Sequence, residues 1–408
     1  MVIKIILNFI AQHTLAKNSS PFVHKIPFKS STKYGSLSSL KIAFDQQVFL
    51  LQEYGGISRY FCSLAKELNQ ISDLDTRVIA PLHFNRNITT LKDVPGAGYK
   101  LPKLHPKLMR LAMETSKLAA RHSINKFAPD ILHETYFTYD DFQPRGTKRV
   151  LTVYDFIHER YADMFEHSHM TSGPKKAAAL RADHVISISE STRRDLIEFC
   201  GVPEDRITVT YLAADECFRL ENIVTNPKLI ITTPYVLFVG SRGGYKNFDG
   251  FVRAFSNSSR LKTDLNIVCF GGGPLSKDEL RLISDCDLHP DQVTQIGGAD
   301  SILAQLYRDA AAFVYPSMYE GFGIPPLEAM AAGCPVISSN TSSLPEVVGD
   351  AGEYFDPKNN ESMIEAIEQV VYSETRRRDL IKLGQQQEAK FSWEKCADET
   401  HAIYRNLI

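Results

Sequence analysis

Short apolar and β-branched runs alternate with amphipathic stretches along most of this chain. From residue 40 the runs are LKIAFDQQVF, TRVIAPL, DILHETYF, RVLTVYDFIH, DHVISIS and RITVTYLA. A second series has YVLFVGS, LNIVCFGGG, VTQIGG, AFVYPS, PVISSN and GEYFDP. Most are followed by a stretch of helical period, such as GISRYFCSLAKELNQ or NFDGFVRAFSNSS. Near-continuous apolar runs separated by helices predict parallel strands covered on both faces. Two such series predict an α/β protein of two doubly wound, Rossmann-like domains, with ligands at the carboxyl ends of the strands.

The rhythm lapses over residues 215–234, which predicts a linker between a domain at 40–214 and another at 235–390. The helix-patterned segment 391–408 holds the only tryptophan, Trp393, and is expected to pack back toward the first domain. Residues 1–39 have no period and are rich in Ser, Lys and Pro, as expected of a loosely ordered extension. The apolar MVIKIILNFIA at the start lacks the strong basic region and cleavage site of a signal peptide.

The stretch SMYEGFGIPPLEAMAAG, residues 317–333, places Glu320 and Glu328 eight residues apart. One continuous helix would make them a surface pair, but Gly321, Gly323 and the pre-proline Ile324 favour a loop. The helix is then expected to start at Pro325 or Pro326 and end at Gly333, with Glu328 in its first turn. Strand, glycine loop and helix N-terminus together form an anion site, because free N–H groups and the helix dipole point the same way.

A second strand-to-helix loop, GSRGGYKN, carries Arg242 and Lys246, with Asn247 a candidate N-cap. Its spacing fits neither a P-loop nor G-x-G-x-x-G. Two cations on such a loop suit a diphosphate. Each contributes on the order of 4 kcal/mol of gross Coulomb attraction at ~4 Å and an effective dielectric of ~20, before desolvation.

In this order, GSRGGYKN, GGGP, YPSMYEGFGIPPLEAMAAGCPVISSNTSSLPEV and FDP resemble the family 4 retaining glycosyltransferases of the GT-B fold, most of all bacterial mannosyltransferases of surface polysaccharide synthesis. The resemblance runs from about residue 41 to the C-terminus. It implies that Arg242 and Lys246 hold the donor's diphosphate, Glu328 the ribose hydroxyls and Glu320 the sugar hydroxyls. The N–H groups of Phe322, Gly323 and Ile324 would orient sugar and phosphate. Gly55 and Gly56, in QEYGGISRYF, would lie on a loop near the phosphates and the acceptor. TVYDFIHERY supplies Tyr154, Asp155 and His158. Many family members have a histidine immediately before the acidic residue; Tyr154 stands there here, and His158 is the candidate to take its role. GGGP is expected to approach the donor, and VTQIGGAD to receive the nucleotide base.

The activity implied is metal-independent, retaining transfer of a hexose, mannose from GDP-mannose, to a glycan or lipid-linked glycan. No cofactor is expected. The rival readings are a nucleotide-sugar epimerase of the same architecture and a non-catalytic nucleotide-sugar-binding subunit. A glycosidase, with two carboxylates flanking one bond, would leave Arg242 and Lys246 without a task.

The bulk composition removes other classes. A net charge of −2 gives no footprint for nucleic acid. No apolar run approaches the ~18 residues of a membrane span. Seven scattered cysteines, none in a C-x-x-C pair, suit a reducing cytoplasm and argue against a cysteine zinc site. Asp73 with Asp75, and Asp285 with Asp287, have D-x-D spacing but fall where helices are expected to end, and read as solvated turns. His158, His167 and His169 lack further ligands at metal spacing. Residues 100–126 hold seven Lys or Arg against one Glu, with Leu104, Leu108, Leu111 and Leu118 at near-helical spacing. Such a basic helix either packs on the core or lies on the inner face of the cytoplasmic membrane, where a lipid-linked acceptor would be.

Overall fold

The computed structural model describes residues 39–102, 105–229 and 231–408. The expected N-terminal extension, apart from Ser39, lies outside the described residues, as do Lys103 and Leu104. The described residues form fourteen strands, in chain order β1 Leu40–Phe44, β2 Leu74–Val78, β3 Ala80–His83, β4 Ala97–Lys100, β5 Ile131–Glu134, β6 Lys148–Val153 and β7 His184–Ser187. They continue as β8 Ile207–Val209, β9 Tyr235–Val239, β10 Asn266–Phe270, β11 Val293–Ile296, β12 Ala312–Tyr315, β13 Val336–Ser339 and β14 Gly352–Phe355. Each predicted run contains one, and TRVIAPL spans parts of β2 and β3.

Two six-stranded sheets result, in the orders β2-β1-β5-β6-β7-β8 and β11-β10-β9-β12-β13-β14. Their recorded pairings are parallel, for example Ile42 opposite Ile131 and Phe238 opposite Cys269. The architecture is GT-B-like α/β, with two Rossmann-like sheets. A small parallel pair, β3 with β4, was not predicted; the strand AGYK is exposed along its length and has no apolar run to announce it.

By compactness the chain divides into one unit of residues through 152 with 181–184 and 401–408, and another of residues 153–180 and 185–400. In the first, the C-terminal helix Trp393–Leu407 contributes its last turns. There His133 bonds Tyr404 Oη at 2.6 Å and Thr152 Oγ1 at 2.8 Å. Burial lowers the His133 pKa to about 3, so the ring is neutral in this network. Asp73 lies in a turn and is partly exposed, as expected, but Asp75 does not. Asp75 lies on β2 and binds Arg77, while Asp73 accepts from Arg405 on the terminal helix.

The second unit has a continuous core in which Phe238, Phe248, Phe251 and Phe255 pack with Ile267, Val314 and Ile367. Asn247 does sit just before the helix Phe248–Asn257, but in a left-handed conformation (φ 55°) and without capping it. Its amide donates to the Pro357 carbonyl at 2.8 Å instead, tying the loop after β9 to the loop after β14.

Candidate active site

In the second sheet, the chain runs from β9 outward to β10 and β11, then returns to the other side of β9 as β12. Such a reversal opens a crevice at the carboxyl ends of the two central strands, since the loops that follow diverge to opposite faces. The loop after β9 carries Arg242 and Lys246, and the loop after β12 carries Glu320.

Lys246 Nζ lies 2.6 Å from Glu320 Oε1 and 3.1 Å from Tyr315 Oη, and 5.2 Å from the centres of both the Tyr245 and Tyr315 rings. The pair is nearly enclosed, its side chains 13% and 11% exposed. Burial first, and then the Glu320 charge, push the Tyr315 phenol well up, so it remains neutral. The same two influences, with Asp155, raise Tyr245. Proximity in space thus unites residues 74 positions apart.

Arg242 is buried and fully engaged by its surroundings. Its Nε donates to Glu279 at 2.8 Å, and its Nη atoms donate to the carbonyls of Gly271, Gly273 and Pro274 at 2.8 to 3.0 Å. The GGGP segment therefore serves here to hold Arg242. Gly272 has φ +70°, and a Cβ there would lie 2.7 Å from Arg242 Nη1. Burial pushes Glu279 up, but the Ser276 N–H and the Arg242 guanidinium outweigh it, leaving the carboxyl below its ordinary value. Because that pKa is depressed, the clamp's stabilisation is complete above the unfolded value and is lost as pH falls through the folded one.

The helix after the acidic loop spans Ile324–Ala331, one residue earlier than Pro325, and Gly323 before it has φ +117°. The early start moves Glu328 just past the first turn. Glu328 is buried and accepts from Tyr307 Oη at 3.3 Å. The Phe322 side chain belongs to the core, against Tyr211 and Phe391, so only its backbone faces other work. The loop is pinned by hydroxyls: Ser342 Oγ accepts from Glu320 N at 2.8 Å, and Ser343 Oγ donates to the carbonyls of Glu320 and Phe322 at 2.9 and 2.7 Å. Sequence reasoning missed these serines; the signal was the hydroxyl-rich SSNTSS that ends β13 and runs past it.

Residues 154–165 come against the same loops. The Tyr154 carbonyl oxygen is so near Gly321 that a Cβ there would approach it to 1.7 Å. Ser189 Oγ and Thr192 Oγ1 donate to the Gly321 carbonyl at 2.6 and 3.2 Å, and Tyr161 Oη to Met318 O at 3.2 Å. Asp155 Oδ1 accepts from Ile157 N at 3.1 Å. His158 stacks edge-on against Phe165, and its buried Nδ1 has no hydrogen-bond partner among the described residues. Phe165 in turn faces Tyr245 at 6.3 Å. Asp155, His158, Lys246 and Glu320 thus belong to one neighbourhood.

Gly55 and Gly56 lie in the other unit. Gly55 is extended (φ 175°) and precedes the helix Gly56–Leu68, and a Cβ on Gly56 would meet nothing within 4 Å. No group of His, Cys, Asp and Glu among the described residues is arranged to hold a metal ion.

Two parallel α/β sheets, the second with an acidic glycine loop facing Lys246 at its switch point, are the arrangement of a GT-B glycosyltransferase. Residues 54–216 match the family model described as Glycosyltransferase Family 4, and residues 224–387 the one described as Glycosyl transferases group 1. The chain belongs to the family 4 glycosyltransferases and is an enzyme of that kind. It is 29% identical to O-antigen chain mannosyltransferase B of Escherichia coli over 326 residues, 76% of this chain and 80% of that protein. It is 26% identical to O-antigen chain mannosyltransferase RfbU of Salmonella typhimurium, over 77% of this chain and 87% of that one. The fold is similar to that of sucrose-phosphate synthase from Thermosynechococcus elongatus, with TM-score 0.71 and 20% identity, covering 90% of this chain and 99% of that one.

Proposed function

We propose that this enzyme transfers mannose from GDP-mannose, with retention and without a metal, to a hydroxyl of a glycan or lipid-linked glycan in polysaccharide synthesis. The observation that carries the reading is the enclosed Lys246–Glu320 pair at the switch point, a cation for phosphate beside a carboxylate for sugar hydroxyls. The similarity to two O-antigen mannosyltransferases supports the choice of sugar.

In this reading Lys246 exchanges Glu320 for the donor's diphosphate as the sugar arrives, and Glu320 turns to the sugar. Arg242, held by its carbonyl clamp, adds positive potential rather than a free fork. Charge developing on the leaving phosphate is then met by groups already in place, the most effective form of electrostatic catalysis. The N–H groups of Phe322, Gly323 and Ile324 orient the phosphate, Glu328 takes the ribose, and the segment after β11 takes the base. Asp155 and His158 contact the sugar, and the unpartnered His158 Nδ1 has hydrogen-bonding capacity to spare. Residues 40–214 take the acceptor and 235–390 the donor, joined by 215–234.

Thermal unfolding with GDP, UDP, ADP and their sugar conjugates, each with and without EDTA, tests this. GDP-mannose at 100 times its Kd is expected to stabilise the protein by about 2.7 kcal/mol. Stabilisation by UDP conjugates alone would overturn the donor, and a shift abolished by EDTA the metal independence.

Gly56→Ala tests the glycine loop. The added methyl meets open space, so stability is expected to stay within about 1 kcal/mol of the original. Transfer is nevertheless expected to fall by about tenfold if a ligand approaches this backbone. Unchanged kcat and KM would remove Gly55 and Gly56 from the site.

Peripheral contact with an anionic bilayer completes the proposal. The helix Pro106–Phe127 buries Ala112, Ser116, Ala120 and Ile124, leaving Leu111 and Leu118 54% and 65% exposed near Lys107 and Arg110. Lys107→Glu with Arg110→Glu is expected to abolish sedimentation with phosphatidylglycerol vesicles, and equal sedimentation would refute the contact. No helix among the described residues is long and apolar enough to cross a membrane.

A further inference from the structure

The first sheet has a switch point of its own. The chain leaves β1 for β2 on one side and returns as β5 on the other. A cavity of about 250 Å³ opens where the segments after β1 and β5 diverge, closed by the helix Pro106–Phe127. None of the residues assigned above lines it. That volume is near the lower end of the ~300–1,000 Å³ range of small-molecule sites, a size for one sugar ring rather than a nucleotide sugar.

Its walls suit a polyol. Leu50, Leu51, Met113 and Phe137 form an apolar side, the surface that the C–H face of a pyranose covers. The polar side includes Gln46 and Glu114, whose side chains have no hydrogen bond to the other described residues, and Arg121, whose buried Nε also lacks a partner. Four carboxyl groups (Asp45, Glu114, Glu134, Asp140) face two cations (Lys117, Arg121). Both cations are already committed to Asp140, at 2.9 and 2.5 Å. Glu134 is held from behind by Arg181 at 2.9 Å and Arg149 at 3.3 Å. A phosphate entering here would meet an excess of carboxylates. A neutral ring would meet donors and acceptors of both kinds, with no charge to desolvate.

We propose that this cavity seats a neutral hexose ring of the acceptor glycan. The inference rests on the transferase reading and gives its acceptor a place.

Leu51→Trp and Met113→Trp each fill the cavity from a different lining segment, and the exposure of Leu51 (52%) keeps the first from straining the fold. Saturation-transfer NMR with the full chain and methyl α-mannoside is expected to show binding to the unaltered protein and its loss in both variants. With a mannose disaccharide as acceptor, acceptor KM is expected to rise about tenfold or more in each, with kcat and donor KM unchanged. No mannoside signal from the unaltered protein, or an undiminished signal in both folded variants, would overturn the proposal. So would tighter binding of mannose 6-phosphate than of the neutral sugar. Should no acceptor be glycosylated by the unaltered protein, the transferase reading would fail, and the NMR comparison would still decide the cavity.

Discussion

Gly321→Ala is expected to lower stability by about 4 kcal/mol, the upper end for an overpacked site, and melting by roughly 10 °C. The reason is geometric. The new Cβ would sit 1.7 Å from the Tyr154 carbonyl oxygen and 3.0 Å from the Asp155 Cβ. A backbone oxygen cannot rotate away as a side-chain end can. The Gly321 carbonyl is itself fixed by Ser189 and Thr192, so the loop cannot retreat without losing those bonds. Calorimetry of Gly321→Ala beside Gly56→Ala checks the claim, because the second glycine has open space where the first has none. Equal melting temperatures for the two variants would show that residues 154–155 and the acidic loop do not approach as described.

The second large effect concerns Lys246 and Glu320, and a double-mutant cycle separates their structural and chemical roles. Lys246→Met leaves Glu320 enclosed without its counter-charge, which is expected to cost about 3 kcal/mol. Adding Glu320→Gln removes that charge and is expected to restore most of the stability, since an enclosed ion pair contributes little beyond its neutral replacement. Activity should not follow stability. Loss of a preorganised charge at the leaving group is expected to lower kcat by about 10²–10³, and the restored double variant should remain as inactive as the single one. Recovery of kcat along with stability would mean that the pair only holds the loops together.

Much of this is legible in the sequence. Strands buried on both faces leave unbroken apolar runs, and each predicted run contains a strand. The bend at Glu320–Gly323 was legible too, because Gly323 needs a positive φ and Pro325 and Pro326 fit only the first turn of a helix. The partners of the charged residues were not. Arg242 reads as a free cation in GSRGGYKN, yet its donors go to carbonyls and a carboxylate 29 to 37 residues further along. Nothing local announces that, because the contact depends on β9 and β10 lying side by side. Asn247 was placed correctly at a helix start, but the Pro357 carbonyl, 110 residues away, claims its amide. On the helix over 106–127 the leucine spacing left core packing and a membrane-facing surface both open. Its small residues Ala112, Ser116 and Ala120 allow close approach to the core, so Leu111 and Leu118 point outward despite their hydrophobicity.

The most direct test is mass spectrometry of a mannose-terminated oligosaccharide incubated with GDP-mannose, EDTA and the purified protein. The structure and its relatives lead us to expect one added hexose per transfer, an α linkage by NMR of the product, and about a hundredfold less product or lower still with Lys246→Met. An unmodified acceptor from a folded protein that binds the donor would contradict the account, as would product formed equally well by Lys246→Met.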